Sequence, residues 1–161
     1  MEDYSRAATL EDLKVLIRSL NEHNVAYLLI GGYALFAHGY HRATTAIDLL
    51  VPADADTARR VKQALLVLPD RAAQDIDLAW FGQGDNVRVA DAFVVDLMFN
   101  AGGETYNTLK PYMETVVLDG IPVRTLNLEG LLRTKQSTRD KDIADRTILE
   151  RALETIRNRQ K

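Results

Sequence analysis

Two aspartates stand inside runs of strand-forming residues, and they are the first candidates for chemistry. Asp48 lies in AIDLLV, residues 46–51, and Asp96 lies in FVVDLMF, residues 93–99. An unpaired carboxylate is costly to bury, so each should face a cleft, a metal ion or a cation. An edge position or an arginine partner would explain one such residue. Two of them, on strands that we predict to be neighbours, favour a shared divalent cation held by carboxylate oxygens.

The strand that contains Asp48 raises a question at position 46. Side chains two residues apart on a strand point to the same face, so a carboxylate at position 46 would converge with Asp48 on one ion. The residue there is Ala46. The segment is either a metal-binding strand that lacks one ligand or a hydrophobic strand with one aspartate. Asp75 and Asp77 have the missing spacing, but RAAQDIDLAW predicts a loop or short helix.

A glycine pair and a basic segment are candidates for binding phosphate. Gly31 and Gly32 close the predicted strand VAYLLI and open a helix. Free N–H groups at a helix start favour an anion, and glycine lets a phosphate approach closely; a simple turn is the alternative. The segment RTKQSTRDK has four basic side chains that could neutralise a triphosphate, or that form a solvated helix face: Arg133, Lys135, Arg139 and Lys141.

The elements that must position these residues predict one mixed α/β (α+β) domain over residues 1–161. The predicted order is α-β-α-β-α-β-β-β-β-α-α, with a sheet core over about 25–126 and C-terminal helices over about 127–161. Thr9 and Asn127 are predicted N-caps. Asp119-Gly120 predicts a hairpin turn. These signals give a mixed sheet flanked by helices.

Composition and charge restrict the class of protein. The 161 residues are 47% hydrophobic, which is enough for a core, and the absence of cysteine excludes disulfides and thiolate metal sites. No segment resembles a signal peptide or a membrane helix, so we expect a cytoplasmic protein without membrane contact. Net charge is −3, yet residues 133–161 hold nine Lys and Arg against five Asp and Glu. That basic tail indicates a polyanion contact or a solvated face.

Taken together, these residues resemble the nucleotidyltransferase superfamily that includes DNA polymerase beta. The family pattern is an apolar strand, a Gly-Gly or Gly-Ser pair, a short spacer, Asp-x-Asp and a third Asp on a later strand. Here LLIGG ends at Gly32, thirteen residues follow, then Ala46-Ile47-Asp48, with Asp96 later. Within the superfamily, GGYALFAHGYHRATTAIDLLV, VRVADAFVVDLMFN and LLRTKQSTRDKDIADRTIL are similar to small bacterial proteins of the AbiEii type. Those proteins are associated with abortive infection and toxin–antitoxin modules.

The resemblance implies nucleotidyl transfer from an NTP, with release of pyrophosphate. It implies Mg²⁺ or Mn²⁺ as cofactor, tRNA or another RNA as the expected acceptor, and a cognate antitoxin as a partner of a toxin or phage-defence effector. Asp48 and Asp96 would ligate the metal, with Asp96 as candidate base. Catalysis of this kind is mainly positioning and charge neutralisation.

The same resemblance assigns the phosphate contacts. Gly31 and Gly32 would contact the nucleotide phosphates, while Arg42 and Lys135 would steady phosphate charge. We expect Lys135 to be exposed, so that its replacement weakens ligand binding more than folding.

Ala46 departs from the family pattern, which has Asp at that position. Loss of one ligand should cripple the chain as written. An isolated Asp-to-Ala change at a metal ligand is typical of deliberate inactivation, and natural loss is the alternative. If the alanine is natural, a non-catalytic nucleotide-binding or antitoxin-like module becomes the leading interpretation. Transfer to a small molecule such as an antibiotic is a second enzymatic interpretation.

Overall fold

The structure, a computed structural model, describes residues 5–40, 45–136 and 140–159. Its helices are α1 (Leu10–Glu22), α2 (Gly31–Ala37), α3 (Ala55–Leu65), α4 (Tyr106–Leu109), α5 (Leu128–Thr134) and α6 (Asp140–Arg159). Its strands are β1 (Leu28–Ile30), β2 (Ala46–Leu50), β3 (Val87–Ala90), β4 (Val94–Met98), β5 (Met113–Leu118) and β6 (Ile121–Leu126). Three short 3₁₀ helices lie at Ala72–Asp75, Leu78–Gly82 and Lys110–Tyr112.

The six strands form one mixed sheet in the order β3-β4-β2-β1-β6-β5. The pairs β2–β4 and β1–β6 are parallel, and the other three pairs are antiparallel. The predicted mixed α/β class with C-terminal helices is therefore confirmed. Within this sheet β2 and β4 are direct neighbours, and β3 lies at the edge beyond β4.

Local capping signals set the helix starts. The Thr9 side chain accepts from the backbone N–H of Asp12, whose carboxylate accepts from the N–H of Thr9, and this reciprocal capping box opens α1. Asn127 caps α5 with a single bond, because its side chain accepts from the backbone N–H of Gly130 at 2.9 Å. Asp119 and Gly120 both have positive φ, as the predicted hairpin turn between β5 and β6 requires.

Alternation along β2 and β4 separates the core from the polar face. Ile47, Leu49, Val95 and Leu97 are fully buried, and they belong to the same hydrophobic cluster as the buried side of α1 and α3. Because successive strand residues point to opposite faces, Asp48 and its neighbours on β4 must point away from that cluster. The core thus determines which face carries the aspartates.

The segment between α3 and β3 does not form a strand. Asp75 ends one 3₁₀ helix and Asp77 caps the next, where its carboxylate accepts the N–H of Ala79 at 2.9 Å. Both aspartates are exposed. The prediction of a loop or short helix is confirmed, and these two carboxylates are not placed as a pair on a sheet.

The C-terminal helix α6 is the longest element described, with 20 residues. Its apolar side chains Leu149 and Ala152 are buried, but Ile156 is 42% exposed. No helix in the described ranges is both long and apolar enough to cross a membrane.

Candidate functional site

Asp48 and Asp96 lie side by side on one face of the sheet. They are direct register partners on the parallel strands β2 and β4, whose backbones are about 4.8 Å apart in any sheet. Both side chains line the same cleft. The sequence predicted that the two aspartates occupy neighbouring strands and open on one cleft, and this placement is confirmed. Two carboxylates on neighbouring strands repel each other unless a positive charge lies beside them.

Gly31 makes the room that the Asp48 carboxylate occupies. A Cβ atom at Gly31 would overlap Oδ2 of Asp48, and the residue has φ of +73°, in the left-handed region that favours glycine. The sequence interpretation was that this glycine lets a phosphate come close. The structure shows a second reason for glycine at this position, because the carboxylate of Asp48 already lies where a Cβ atom would be.

We predict that Gly31→Ala both strains the backbone and displaces Asp48. It should lower the free energy of unfolding by more than about 2 kcal/mol. The matched control is Gly120→Ala, because Gly120 has a similar φ of +79° but open space around its missing Cβ. That control should cost only about 1 kcal/mol. Chemical denaturation of both variants measures the difference, and equal costs would show that the Asp48 contact is unimportant.

Arg88 on the edge strand β3 is the cation that faces the two carboxylates. It is the register partner of Asp96 across β3–β4. Its Nε donates to Oδ1 of Asp96 at 2.9 Å and its Nη2 donates to Oδ2 at 3.1 Å. This bidentate pair raises the pKa of the Arg88 guanidinium, with a weaker contribution from the charge of Asp48. The arginine partner considered for an isolated strand aspartate is therefore present.

Lys135 closes the cleft from the C-terminal helices, and it is buried rather than exposed. Only 5% of the residue is accessible. Its Nζ lies 3.1 Å from Oδ2 of Asp145 and 3.7 Å from Oδ1 of Asp142, both of which are buried. The expectation that Lys135 is an exposed lysine of little structural value is wrong. Its position just after α5 and against α6 encloses it, which no pattern in RTKQ reveals.

The cleft has a volume of about 380 Å³ and a mainly polar wall. Its floor runs across the sheet from Gly31 through Asp48 and Asp96 to Arg88, while Lys135 lines it from the helical side. The other lining residues come from β1, β4, the segments next to β3 and β4, and helices α5 and α6: Ile30, Asn86, Met98, Asn100, Ala101, Gly102, Thr134 and Asp142.

Several predicted residues do not line this cleft. Gly32 is buried in the first turn of α2. Ala46 is half-buried two residues before Asp48, at the start of the same strand face. Arg133 stacks over the ring of Tyr112, 4.7 Å from its centroid, and pairs with Glu104.

Three further predicted positions cannot be placed in the same way. Arg42 and Arg139 lie outside the described residues, and of Lys141 the structure describes only the backbone within α6.

Three charged residues of the site were not predicted from the sequence. Arg88 could have been suspected, because NVRVA places one basic side chain on a strand between two valines. Asp142 and Asp145 have a spacing of three on a predicted helix, which places both on one side. The sequence does not show the strand register that places Arg88 opposite Asp96. It also does not show the helix packing that turns Asp142 and Asp145 inward.

The carboxylates present fit one metal ion better than two. Mg²⁺ is commonly held by one or two carboxylates together with water and substrate phosphates, and Asp48 and Asp96 supply that number. A two-metal site needs more ligands. Among the residues the structure describes, no group of three or more His, Cys, Asp or Glu is arranged to hold a metal ion. Ala46 is consistent with this small number of metal ligands, because it supplies no carboxylate.

No protein-family model matches the chain, and no curated protein matches it. The fold defines this chain as a mixed α/β domain. One polar cleft holds two in-register aspartates, an arginine that pairs with one of them and a buried lysine.

Proposed function

We propose that this chain is a nucleotidyltransferase-type domain whose cleft binds an NTP with Mg²⁺, and that Ala46 leaves it with little transfer activity. The observation that carries this proposal is the pairing of Asp48 with Asp96 in register on one face, next to Gly31. This agrees with the strand, glycine and aspartate spacing that the sequence shares with nucleotidyltransferases.

Each charged residue of the cleft has a task in this proposal. Asp48 and Asp96 would hold Mg²⁺, which when bound neutralises phosphate charge and orients the nucleotide. Arg88 orients the carboxylate of Asp96 through two hydrogen bonds. Lys135 supplies positive charge on the opposite wall, and Asp142 and Asp145 fix its position. Most of the rate effect would come from this fixed arrangement of charges.

The acceptor that we propose is tRNA or another RNA, in the service of a toxin or phage-defence effector that a cognate antitoxin restrains. The excess of positive charge in residues 133–161 supports a nucleic-acid contact. The overall charge of −3 argues against a large non-specific footprint on nucleic acid.

A non-catalytic nucleotide-binding module is the second candidate, and the Arg88 clamp favours it. Both oxygens of Asp96 already accept from Arg88, so a metal ion must share or displace that arginine. A site with Ala46 and a clamped Asp96 could bind a nucleotide without transferring it.

Binding of Mg–NTP is the direct test of the proposed cleft. We expect Asp48→Asn, which keeps the side-chain shape but removes the charge, to weaken Mg–NTP binding by about tenfold or more. The matched control is Asp70→Asn, an exposed position on the turn after α3, which should leave affinity unchanged. Calorimetric titration with each of the four NTPs, with Mg²⁺ and with EDTA, measures both. Equal affinities for the two variants would refute the assignment of the cleft.

A further inference from the structure

A second cleft lies beside the carboxylates, outside the edge strand β3, and it contains the single tryptophan of the chain. Trp80 is 40% exposed, which is unusual for a large aromatic side chain. With five further residues it lines a space of about 250 Å³: Gln83, Asp85, Asn86, Val87 and Arg88. We name these six residues the Trp80 shelf.

The backbone that presents Trp80 is held in place on both sides. The neighbouring Phe81 is buried and packs edge-on against Phe99, with ring centroids 5.0 Å apart. Asp77 caps this short helix, and Nζ of Lys62 donates to the carbonyl of Ile76 at 2.7 Å. Because Phe81 points into the core, the side chain just before it, Trp80, is directed outward and is 40% exposed. The backbone below the indole is therefore held in place at the surface.

The Trp80 shelf and the carboxylate cleft share a wall. Asn86 and Arg88 line both spaces. Across the sheet the order is Gly31, Asp48, Asp96, Arg88 and then the shelf. A molecule whose reacting group lies at the aspartates can therefore reach Trp80 by passing over Arg88.

The chemistry of the shelf suits a nucleobase. An exposed indole stacks on any base, since every base has a flat π-face. The side-chain amides of Gln83 and Asn86 can hydrogen-bond to a base edge. Asp85 disfavours a phosphate at the same place, because like charges repel, and the guanidinium of Arg88 is already paired with Asp96. The shelf is thus better matched to a base than to the phosphates of a nucleotide.

The position of the shelf favours the acceptor over the nucleotide donor. In-line transfer requires the attacking and leaving oxygens to lie on opposite sides of the phosphorus. β3 is an edge strand, so a long chain can leave the cleft there without crossing the sheet, whereas β1 on the other side lies in the sheet interior. An extended acceptor has its natural entry over β3.

We propose that the Trp80 shelf stacks the terminal base of a single-stranded RNA acceptor and so places its end at Asp96. This proposal rests on the proposed nucleotidyl transfer, which it deepens by naming the acceptor-binding surface. It assigns a substrate role to a tryptophan that makes no contribution to the carboxylate cleft itself.

Trp80 reports on its own occupancy, because it is the only tryptophan in the chain. The experiment titrates the chain as written with a short unstructured RNA oligonucleotide and follows intrinsic fluorescence. We expect saturable quenching by the oligonucleotide. Ribose 5-phosphate and inorganic polyphosphate, which have no base, should leave the emission unchanged. Quenching by polyphosphate equal to that by RNA would overturn the proposal.

A second measurement tests whether the stacking contributes to affinity. Trp80→Ala should weaken binding of end-labelled RNA about tenfold by fluorescence anisotropy, while Trp80→Phe retains most of it. The matched control is Val117→Ala, which removes an apolar side chain that is 64% exposed on the opposite edge strand β5, and it should bind like the parent. Unchanged RNA affinity in Trp80→Ala would refute the shelf.

Calorimetry with Mg–NTP separates this proposal from the proposed function. We expect Trp80→Ala to bind Mg–NTP as tightly as the parent. Quenching of Trp80 by Mg–NTP alone, with none by RNA, would overturn the acceptor assignment and place the donor base there instead. RNA-specific quenching in a chain that binds no Mg–NTP would support the shelf as an RNA site and count against nucleotidyl transfer.

Discussion

Ala46→Asp is expected to raise nucleotidyl transfer by about 100-fold or more over the chain as written. Position 46 lies at the start of the strand face that carries Asp48, in register with Val94 of β4. A carboxylate there would complete a set of three around the cation. Removal of one charge-stabilising group commonly costs two to three orders of magnitude in rate, and its return should restore a similar factor. Incorporation of labelled NTP into tRNA and total RNA, with each of the four NTPs, measures the gain.

The matched control for this gain is Ala46→Asn, because asparagine has nearly the same volume as aspartate but carries no charge. It should remain as inactive as the parent. The double variant Ala46→Asp with Asp48→Asn should lose the gain, because the two carboxylates act on the same ion. If Ala46→Asp neither binds Mg–NTP more tightly nor transfers a nucleotide to RNA or small acceptors, position 46 is not a lost ligand. The chain is then better described as a binding module.

The same substitution has a consequence for stability that can be measured without an acceptor. A third carboxylate beside Asp48 and Asp96 adds like-charge repulsion, so Ala46→Asp should unfold at a slightly lower temperature in EDTA. Mg²⁺ with NTP should reverse that loss through binding linkage. A thermal scan in both conditions distinguishes this result from simple damage to the fold, which ligand would not repair.

Lys135→Met is expected to lower the free energy of unfolding by roughly 3 kcal/mol, which lowers the melting temperature by about 10 °C in a domain of this size. Removal of this buried ammonium takes positive charge away from Asp142 and Asp145, which are themselves buried. The cost of a buried carboxylate with less compensation is much larger than the cost of losing a surface ion pair. Calorimetric or circular-dichroism melting measures the shift.

Two control variants test whether the loss of stability is specific to Lys135. Lys110→Met, at an exposed lysine on the 3₁₀ helix after α4, should change the melting temperature by no more than about 1 °C. Adding Asp145→Asn to Lys135→Met should recover part of the loss, because one of the buried negative charges is removed. A melting temperature within about 2 °C of the parent in the single variant would show that the buried cluster is not stabilising.

The sequence by itself determined the elements and the two aspartates. The caps at Thr9 and Asn127, the turn at Asp119-Gly120 and the alternation around Asp96 are local signals, and local physics makes them readable. The same local signals predict a loop or short helix, and not a strand, at Asp75 and Asp77. An aspartate within a buried strand pattern also signals a polar cleft, since its burial without a partner is costly.

Only the tertiary structure decided which charges meet. Strand register places Arg88 and Asp48 on either side of Asp96, and register depends on pairing between segments far apart in the chain. The packing of α6 against α5 buries Lys135 between Asp142 and Asp145, although RTKQ reads as a solvated helix face. The space that Gly31 leaves for Asp48 is likewise a contact between two elements, the start of helix α2 and strand β2. Spacing along a chain fixes the direction of a side chain within its own element, but the neighbours it meets there belong to other elements.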